Sequence, residues 1–346
     1  MANLPSPIVL APMAGGITTP ELVAAVTEAG AFGFLAAGYR SPAQVAADIE
    51  AVRARTDRPF GLNIFAPPGE PAAGEGIAAY AASLAPEESR YGVAVGEPRH
   101  DDDHYQAKLS LAIDQRLAVV SFTFGCPSAD TVAALHQAGV EVWVTVTDPD
   151  EAREAQAAGA DALAVQGIEA GGHRGYFREL PDRQEYGLLA LLRLLATSTE
   201  LPLVGAGGVA DGAAVAAVLC AGAVGAALGS AFMLTPEAGT SPAQRRLHAA
   251  AAPTRLTRAF TGREARGIVN RFIEEHDAQA PAGYPQLHHL TAPIRAAARA
   301  RGDAEAINLW AGQAHQLALA IPAAELVRRL HDETRAALHA AAELVG

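Results

Sequence analysis

Short apolar runs recur along the first two thirds of the chain, and a longer helix-forming stretch follows most of them. The runs are rich in Val, Leu, Ile and Phe, with little alternation of apolar and polar positions. This pattern is typical of parallel strands that are buried on both faces. It predicts eight strands, at Pro7–Pro12, Phe32–Gly38, Phe60–Ala66, Ala118–Phe124, Glu141–Thr147, Ala162–Gly167, Pro202–Gly207 and Gly225–Ser230.

Residues that begin helices lie between these runs. Thr19, Ser41, Asp148 and Asp211 each stand directly before a helical stretch, and proline follows three of them. Their side chains can cap the first turn, and proline fits the first helical position. Eight strands alternating with helices over about 240 residues predict an α/β fold, a (β/α)8 TIM barrel, with a doubly wound open sheet as the alternative.

Two regions break the alternation. Residues Pro67–Arg116 are longer than a simple crossover and rich in Pro, Gly and charge, so we expect a loop with one or two helices over the barrel mouth. After residue 235 the pattern favours helix, including Arg255–Phe272 and Pro281–Gly312. The predicted organisation is a barrel over residues 1–235, and a C-terminal helical extension or second domain over 236–346 that packs on it.

Composition narrows the function classes. The chain has 346 residues and a formal net charge of −12, which argues against nucleic acid and anionic membranes as partners. The N-terminus has no basic segment and three early prolines, so we expect no signal peptide and a cytoplasmic location. The uncharged stretch Gly212–Leu234 is long enough to cross a bilayer. Its glycines favour a buried helix followed by a buried strand.

Neither cysteines nor acidic residues indicate a metal site. Cys126 and Cys220 have no zinc-like spacing, and we interpret them as two buried thiols of a reduced protein, Cys126 being packed rather than nucleophilic. The run Asp101–His104 contains metal-ligand residue types, but a solvated helix start is favoured.

In a barrel, chemistry lies at the carboxyl ends of the strands. Gly207 and Gly208 follow the seventh predicted strand, and Gly229 ends the eighth. Backbone N–H groups can approach a phosphate where no side chain intervenes, and the helix after Asp211 would point its dipole at the same place. The two loops predict a phosphate site; the alternative is that these glycines only serve tight turns.

Polar side chains at other strand ends are candidates for catalysis and cofactor binding. His173 lies in a glycine-rich loop after the sixth strand, where it is either a general base or a solvated loop residue. We interpret Arg174 beside it as a structural ion-pair partner. Asn63 and Gln166 suit the polar edge of a flavin ring, or else they cap buried strands.

Several blocks together resemble the class I nitronate monooxygenases, formerly called 2-nitropropane dioxygenases. The likeness covers nearly the whole chain and includes the specific sequence EAGGHRGYF. The matching blocks are Pro7–Gly16, Val120–Pro127, Thr145–Phe177, Gly205–Phe232, Gly267–Phe272 and Leu309–Gln313.

The resemblance implies FMN, bound without a covalent link, and His173 as the catalytic residue. The family often has Gln where Ala227 stands and Thr where Ser230 stands. These differences bear on side-chain contacts at the two positions but not on a phosphate site, because a backbone contact tolerates both residues and Ser keeps the hydroxyl. The residues expected to bind the cofactor are Met13, Asn63, Gln166, Gly171, Gly207, Gly208, Ala227, Leu228, Gly229 and Ser230.

The implied reaction is one-electron oxidation of an anionic alkyl nitronate with O2 to a carbonyl compound and nitrite. Propionate 3-nitronate is a candidate substrate, and His173 would take the α-proton from a neutral nitroalkane. The rival hypothesis is an FMN-dependent enoyl-acyl-carrier-protein reductase or NAD(P)H:quinone reductase of the same superfamily. A third is a non-catalytic flavin- or phosphate-binding barrel. The sequence leaves the oligomeric state open.

Overall fold

A closed barrel of eight parallel strands forms the centre of the protein and confirms the predicted fold class. The computed structural model describes residues 4–69, 74–180, 182–250 and 252–345. Neighbouring barrel strands pair in chain order, and the last returns to the first through Val9 and Ala227. The barrel strands are β1 (Ile8–Leu10), β2 (Phe32–Ala36), β3 (Gly61–Phe65), β4 (Val119–Thr123), β5 (Glu141–Val146), β6 (Ala162–Gln166), β8 (Leu203–Ala206) and β9 (Gly225–Leu228), while β7 (Gly172–His173) lies outside the barrel.

Helices surround the barrel, and the four predicted caps are confirmed. The side chains of Thr19, Ser41, Asp148 and Asp211 each accept a backbone N–H from the first helical turn. The helices are α1 (Pro20–Glu28), α2 (Pro42–Arg53), α3 (Gly74–Ser83), α4 (Ala85–Tyr91), α5 (Tyr105–Asp114), α6 (Ala129–Gln137), α7 (Pro149–Ala158), α8 (Leu188–Ala196), α9 (Gly212–Cys220), α10 (Pro242–Ala249), α11 (Arg271–His276), α12 (Gln286–Ala300) and α13 (Ala323–Val345).

Three hydrophobic clusters form among the described residues. The largest one holds the barrel strands and their helices, and α13 joins it through Leu326, Val327 and Leu330. The second one combines α3 and α4 with α11 and α12. The barrel floor is filled separately by Phe32, Phe34 and Trp143, whose rings pack against one another. These rings therefore close this end of the barrel. The domain boundary after residue 235 stays a prediction.

The expectation that Arg255–Phe272 is helical is wrong. Two short strands occupy most of it, β10 (Thr254–Thr257) and β11 (Ala265–Ile268), with only the first residues of α11 at its end. They form an antiparallel sheet in the order β10-β11-β7. Such short strands carry little periodic signal, and pairing with β7, far away in sequence, is what stabilises them. The sheet ties the loop after β6 to the C-terminal part of the chain.

The segment over residues 67–116 and the two cysteines also differ from expectation. Segment 67–116 contains three helices, α3 to α5, rather than one or two, and residues 70–73 lie outside the described part. Cys220 is exposed and Cys126 is half-buried, so the expectation of two buried thiols is wrong. Residues 212–234 form α9, β9 and a short 3-10 turn. Among the described residues, no helix has the length and apolar character needed to cross a membrane.

Candidate active site

A cavity of about 730 Å³ opens at the carboxyl ends of the barrel strands, between the barrel and α12. Ten of the eleven residues predicted from the sequence line it. The exception is Leu228, whose side chain is 0% exposed and packs in the barrel core, so this side chain cannot touch a ligand. The ten lining residues are Met13, Asn63, Gln166, Gly171, His173, Gly207, Gly208, Ala227, Gly229 and Ser230.

One end of the cavity offers unpaired backbone donors. Gly207 and Gly208 have φ angles of 124° and 69°, conformations that glycine adopts without strain. Ser230 begins a 3-10 turn directly after β9. Within the described residues, the N–H groups of Gly208 and Ser230 donate to no protein acceptor. Both residues line the cavity, so these free donors are available to an anion such as a phosphate.

Carboxylates of the protein cap the start of α9, and the expected contribution of its dipole to a phosphate site stays a prediction. The N–H of Gly212 donates to the Glu333 carboxylate at 3.0 Å, and the N–H of Ala214 donates to Asp211 at 2.8 Å. These two carboxylates accept two of the backbone donors at the helix start. Because Glu333 lies on α13, more than a hundred residues away in sequence, the local pattern around Asp211 does not reveal it.

Asn63 and Gln166 are held in fixed orientations at two strand ends. The Asn63 amide donates to Ser121 Oγ at 2.9 Å and to Thr123 Oγ1 at 3.0 Å, while its Oδ1 has no partner among the described residues. Gln166 Nε2 donates to the carbonyl of His173 at 3.0 Å. The cavity therefore presents amide groups whose hydrogen-bonding direction is set in advance, which suits a ring with fixed donors and acceptors.

Arg174 supports Gln166, and its predicted role as an ion-pair partner is confirmed. Its side chain is 1% exposed and pairs with Glu185 at 3.0 Å. It also donates to Gln166 Oε1 at 2.8 Å, an oxygen that accepts the N–H of Gly175 at 2.8 Å as well. Arg174 therefore positions the amide that faces the cavity.

His173 lies on β7, where it pairs with Ala265 of β11. Its Nε2 is 2.9 Å from Thr261 Oγ1, and that hydroxyl donates to the carbonyl of Arg263 at 3.2 Å. Thr261 has one hydrogen to donate, so this arrangement favours a proton on Nε2 and leaves Nδ1 free to accept. Burial and the nearby charges of Arg263 and Arg295 lower the pKa of His173 to about 3, so the ring is neutral at pH 7.

The charge of the cavity is opposite to that of the whole protein. Among the described residues that line it, none is Asp or Glu, whereas Arg295 and Arg299 both are present. The two arginines are four residues apart on α12, a spacing that places them on the same helix face. Sequence reasoning missed them, although this spacing is visible in the chain. The cavity thus favours an anionic ligand.

Metal binding is not needed to explain the acidic clusters. The run Asp101–His104 precedes α5, which confirms the predicted helix start, and Asp103 pairs with Lys108 at 2.6 Å. In the described part of the chain, the group that could hold a metal ion is Glu87 with Glu275 and His276. Arg271 already pairs with both of those carboxylates at 2.6 Å.

Cys126 is a packed thiol, as expected. It lies against the barrel core, and burial raises the pKa of the thiol to about 11. The thiolate needed for nucleophilic attack is therefore scarce at neutral pH.

The fold and the cavity together define a (β/α)8 barrel with a candidate site at the carboxyl ends of the strands. The family model for nitronate monooxygenase matches residues 2–333, and the chain belongs to that family of oxidoreductases. It is 39% identical to the nitronate monooxygenase of Paraburkholderia phytofirmans, over 97% of this chain and 94% of the relative.

Solved structures agree with this assignment. The nitroalkane oxidase from Streptomyces ansochromogenes is 47% identical, with a TM-score of 0.94 over 97% of this chain and 98% of the other. FabK from Thermotoga maritima is 25% identical, with a TM-score of 0.78 over 99% of this chain and 96% of the other. The chain is thus more similar to the oxidase in both sequence and structure.

Proposed function

We propose that the protein is an FMN-dependent nitronate monooxygenase that uses O2 to oxidise anionic alkyl nitronates to carbonyl compounds and nitrite. The observation that carries the proposal is one cavity that has free backbone donors and is lined by two arginines but, among the described residues, by no Asp or Glu. The first feature suits the phosphate of a cofactor, and the second suits an anionic substrate. A cytoplasmic location and the removal of toxic nitronates belong to the same proposal.

FMN fits the residues present. The N–H groups of Gly208 and Ser230 would hold its phosphate, and the backbone at Gly207 leaves room for a close approach. Asn63 and Gln166 would bind the polar edge of the ring. Leu228 is fully buried and does not line the cavity, so its expected contact is not part of the proposal.

When bound, FMN supplies the electron-accepting group of the reaction. The chain's own residues bind and orient the substrate beside it. Neutral His173 can accept a hydrogen bond or a proton at the nitrogen that does not face Thr261. Its low pKa makes it a weak base, whereas a nitronate has already lost its α-proton and needs none. The site therefore favours nitronates over neutral nitroalkanes as substrates.

Anaerobic mixing separates this proposal from its main rival, a flavin-dependent reductase. The flavin-loaded protein is mixed without oxygen with ethylnitronate in one experiment and with NADH or NADPH in another, and flavin absorbance is followed. We expect reduction by the nitronate and none by the nicotinamides within the same time. Rapid bleaching by NADH or NADPH alone would support the reductase, and no response to any of them would support a non-catalytic binder.

A further inference from the structure

Arg295 is a buried charge without a carboxylate partner. Its side chain is 5% exposed, and it lines the cavity from α12. It donates to Thr291 Oγ1 at 3.0 Å, to the carbonyl of His288 at 2.6 Å and to Asn308 Oδ1 at 3.4 Å, all of them neutral acceptors. Within the described residues no carboxylate pairs with it. Burying an unpaired charge is costly, so an anionic partner from outside the chain is the expected complement.

Two other buried arginines of the same region have their charge balanced or covered by side chains of the protein. Arg174 pairs with Glu185. Arg263 stacks on the rings of Phe124 and Tyr176 and does not line the cavity. A guanidinium has five N–H donors, and Arg295 makes at most four hydrogen bonds to the chain, the fourth a weak one to the His288 ring at 3.4 Å. At least one donor is left for a ligand.

Arg295 also acts on the candidate catalytic residue. Its charge is one of the two that lower the pKa of His173, so the guanidinium lies close enough to influence that ring. Burial and the charge of Arg299 lower the pKa of Arg295 itself to about 10, and the side chain stays charged at neutral pH. An anion between Arg295 and His173 would meet a positive charge on one side and a neutral hydrogen-bonding ring on the other.

We propose that Arg295 is the specificity-determining residue of the site: it binds the anionic group of the substrate and selects nitronates over neutral nitroalkanes. The inference rests on the proposed function, and it names the residue that makes the cavity selective for anions.

The test compares Arg295→Gln with Arg335→Gln, a control that removes one positive charge from an exposed position on α13. Binding of nitrate, an inert planar anion, to the flavin-loaded protein is measured by calorimetry at low salt. In parallel, kcat/KM is measured for ethylnitronate and for nitroethane. We expect Arg295→Gln to weaken nitrate binding and to lower kcat/KM for ethylnitronate by roughly 10- to 100-fold, with most of the change in KM. The KM for nitroethane should change less than about threefold, because the neutral substrate binds without a charge, and the control should match the wild type.

A second variant covers the case in which Arg295→Gln does not fold. Asn308→Asp keeps the shape of the side chain and places a carboxylate where Arg295 and Arg299 already bind an oxygen. This internal anion should compete with nitrate and weaken its binding by about tenfold or more. Three results would overturn the proposal. They are wild-type nitrate affinity in folded Arg295→Gln or Asn308→Asp, an equal rise of KM for both substrates, and loss of FMN from Arg295→Gln.

Failure of the proposed function gives a different result. If the wild-type protein oxidises no nitronate, that function is wrong, and nitrate binding alone then decides whether Arg295 forms an anion site.

Discussion

Gly208 tests the phosphate site through a pair of variants that differ by one charge. A Cβ at this position would lie 3.3 Å from the Cβ of Glu169, a contact that a shift of a few tenths of an ångström relieves. The φ angle of 69° is one that Asn and Asp tolerate better than other side chains. Gly208→Asn and Gly208→Asp therefore share the same volume and backbone strain, and only the aspartate adds a negative charge beside the expected phosphate.

The magnitude follows from Coulomb's law and from protonation. A carboxylate about 5 Å from a dianion, at an effective dielectric constant of about 20, meets a repulsion of roughly 6 kcal/mol. The carboxyl group can avoid this by taking up a proton, which at pH 7 costs about 4 kcal/mol for an ordinary pKa near 3.9. Because protonation costs less than the repulsion, the cost of protonation sets the upper limit on the binding free energy that is lost. We therefore expect Gly208→Asp to bind FMN about 100- to 1,000-fold more weakly than Gly208→Asn at pH 7, and the gap to narrow toward pH 5.

The assay titrates each flavin-free variant with FMN and follows the flavin fluorescence, while far-UV circular dichroism checks the fold. Equal dissociation constants for the two folded variants would refute the placement of the phosphate. This holds also if both variants bind FMN more weakly than the wild type to the same extent, because such a shared loss reflects lost space and not charge.

Three further predictions use other parts of the site. His173→Asn should lower kcat/KM on preformed nitronates about tenfold but on neutral nitroalkanes by about 100-fold or more, because only the nitroalkanes have an α-proton to lose. Equal losses on both substrates in steady-state assays would contradict this role. Burial lowers the pKa of His173 to about 3 and that of His248 to about 4, so the unfolded chain binds more protons than the folded protein below about pH 6.5. The urea concentration at the unfolding midpoint should therefore fall as the pH drops below about 6.5, and an unchanged midpoint between about pH 7 and 5 would contradict this prediction. Gly171→Ala would place a Cβ 2.4 Å from the backbone N of Gly312, so we expect a large loss of thermal stability. A wild-type melting temperature would show that the backbone at Gly312 can move away from residue 171.

The barrel could be predicted because its signals are local. A strand buried on both faces is a continuous apolar run, and caps such as Ser41 and Asp148 stand next to the helices they begin. The position of the site follows from the fold, since strand ends meet at one face of a barrel. That is why residues as distant as Met13 and Ser230 were predicted to share one cavity, and they do.

What the sequence did not reveal depends on contacts between distant segments. The strands β10 and β11 are too short to show a period, and β11 is held by pairing with the segment that contains His173. Glu333 occupies the start of α9 from the far end of the chain. In the sequence, Arg295 looks like any other arginine of a helix. Only the packing of α12 in the folded protein shows that it lines the cavity.

Oxygen uptake with a preformed nitronate tests the central claim most directly. Purified protein, loaded with FMN, is mixed in air with ethylnitronate or propionate 3-nitronate, and oxygen consumption and nitrite release are recorded together without NADH or NADPH. We expect both signals to appear at rates proportional to the bound FMN. FMN-loaded protein that consumes no oxygen and releases no nitrite with either nitronate would contradict the account.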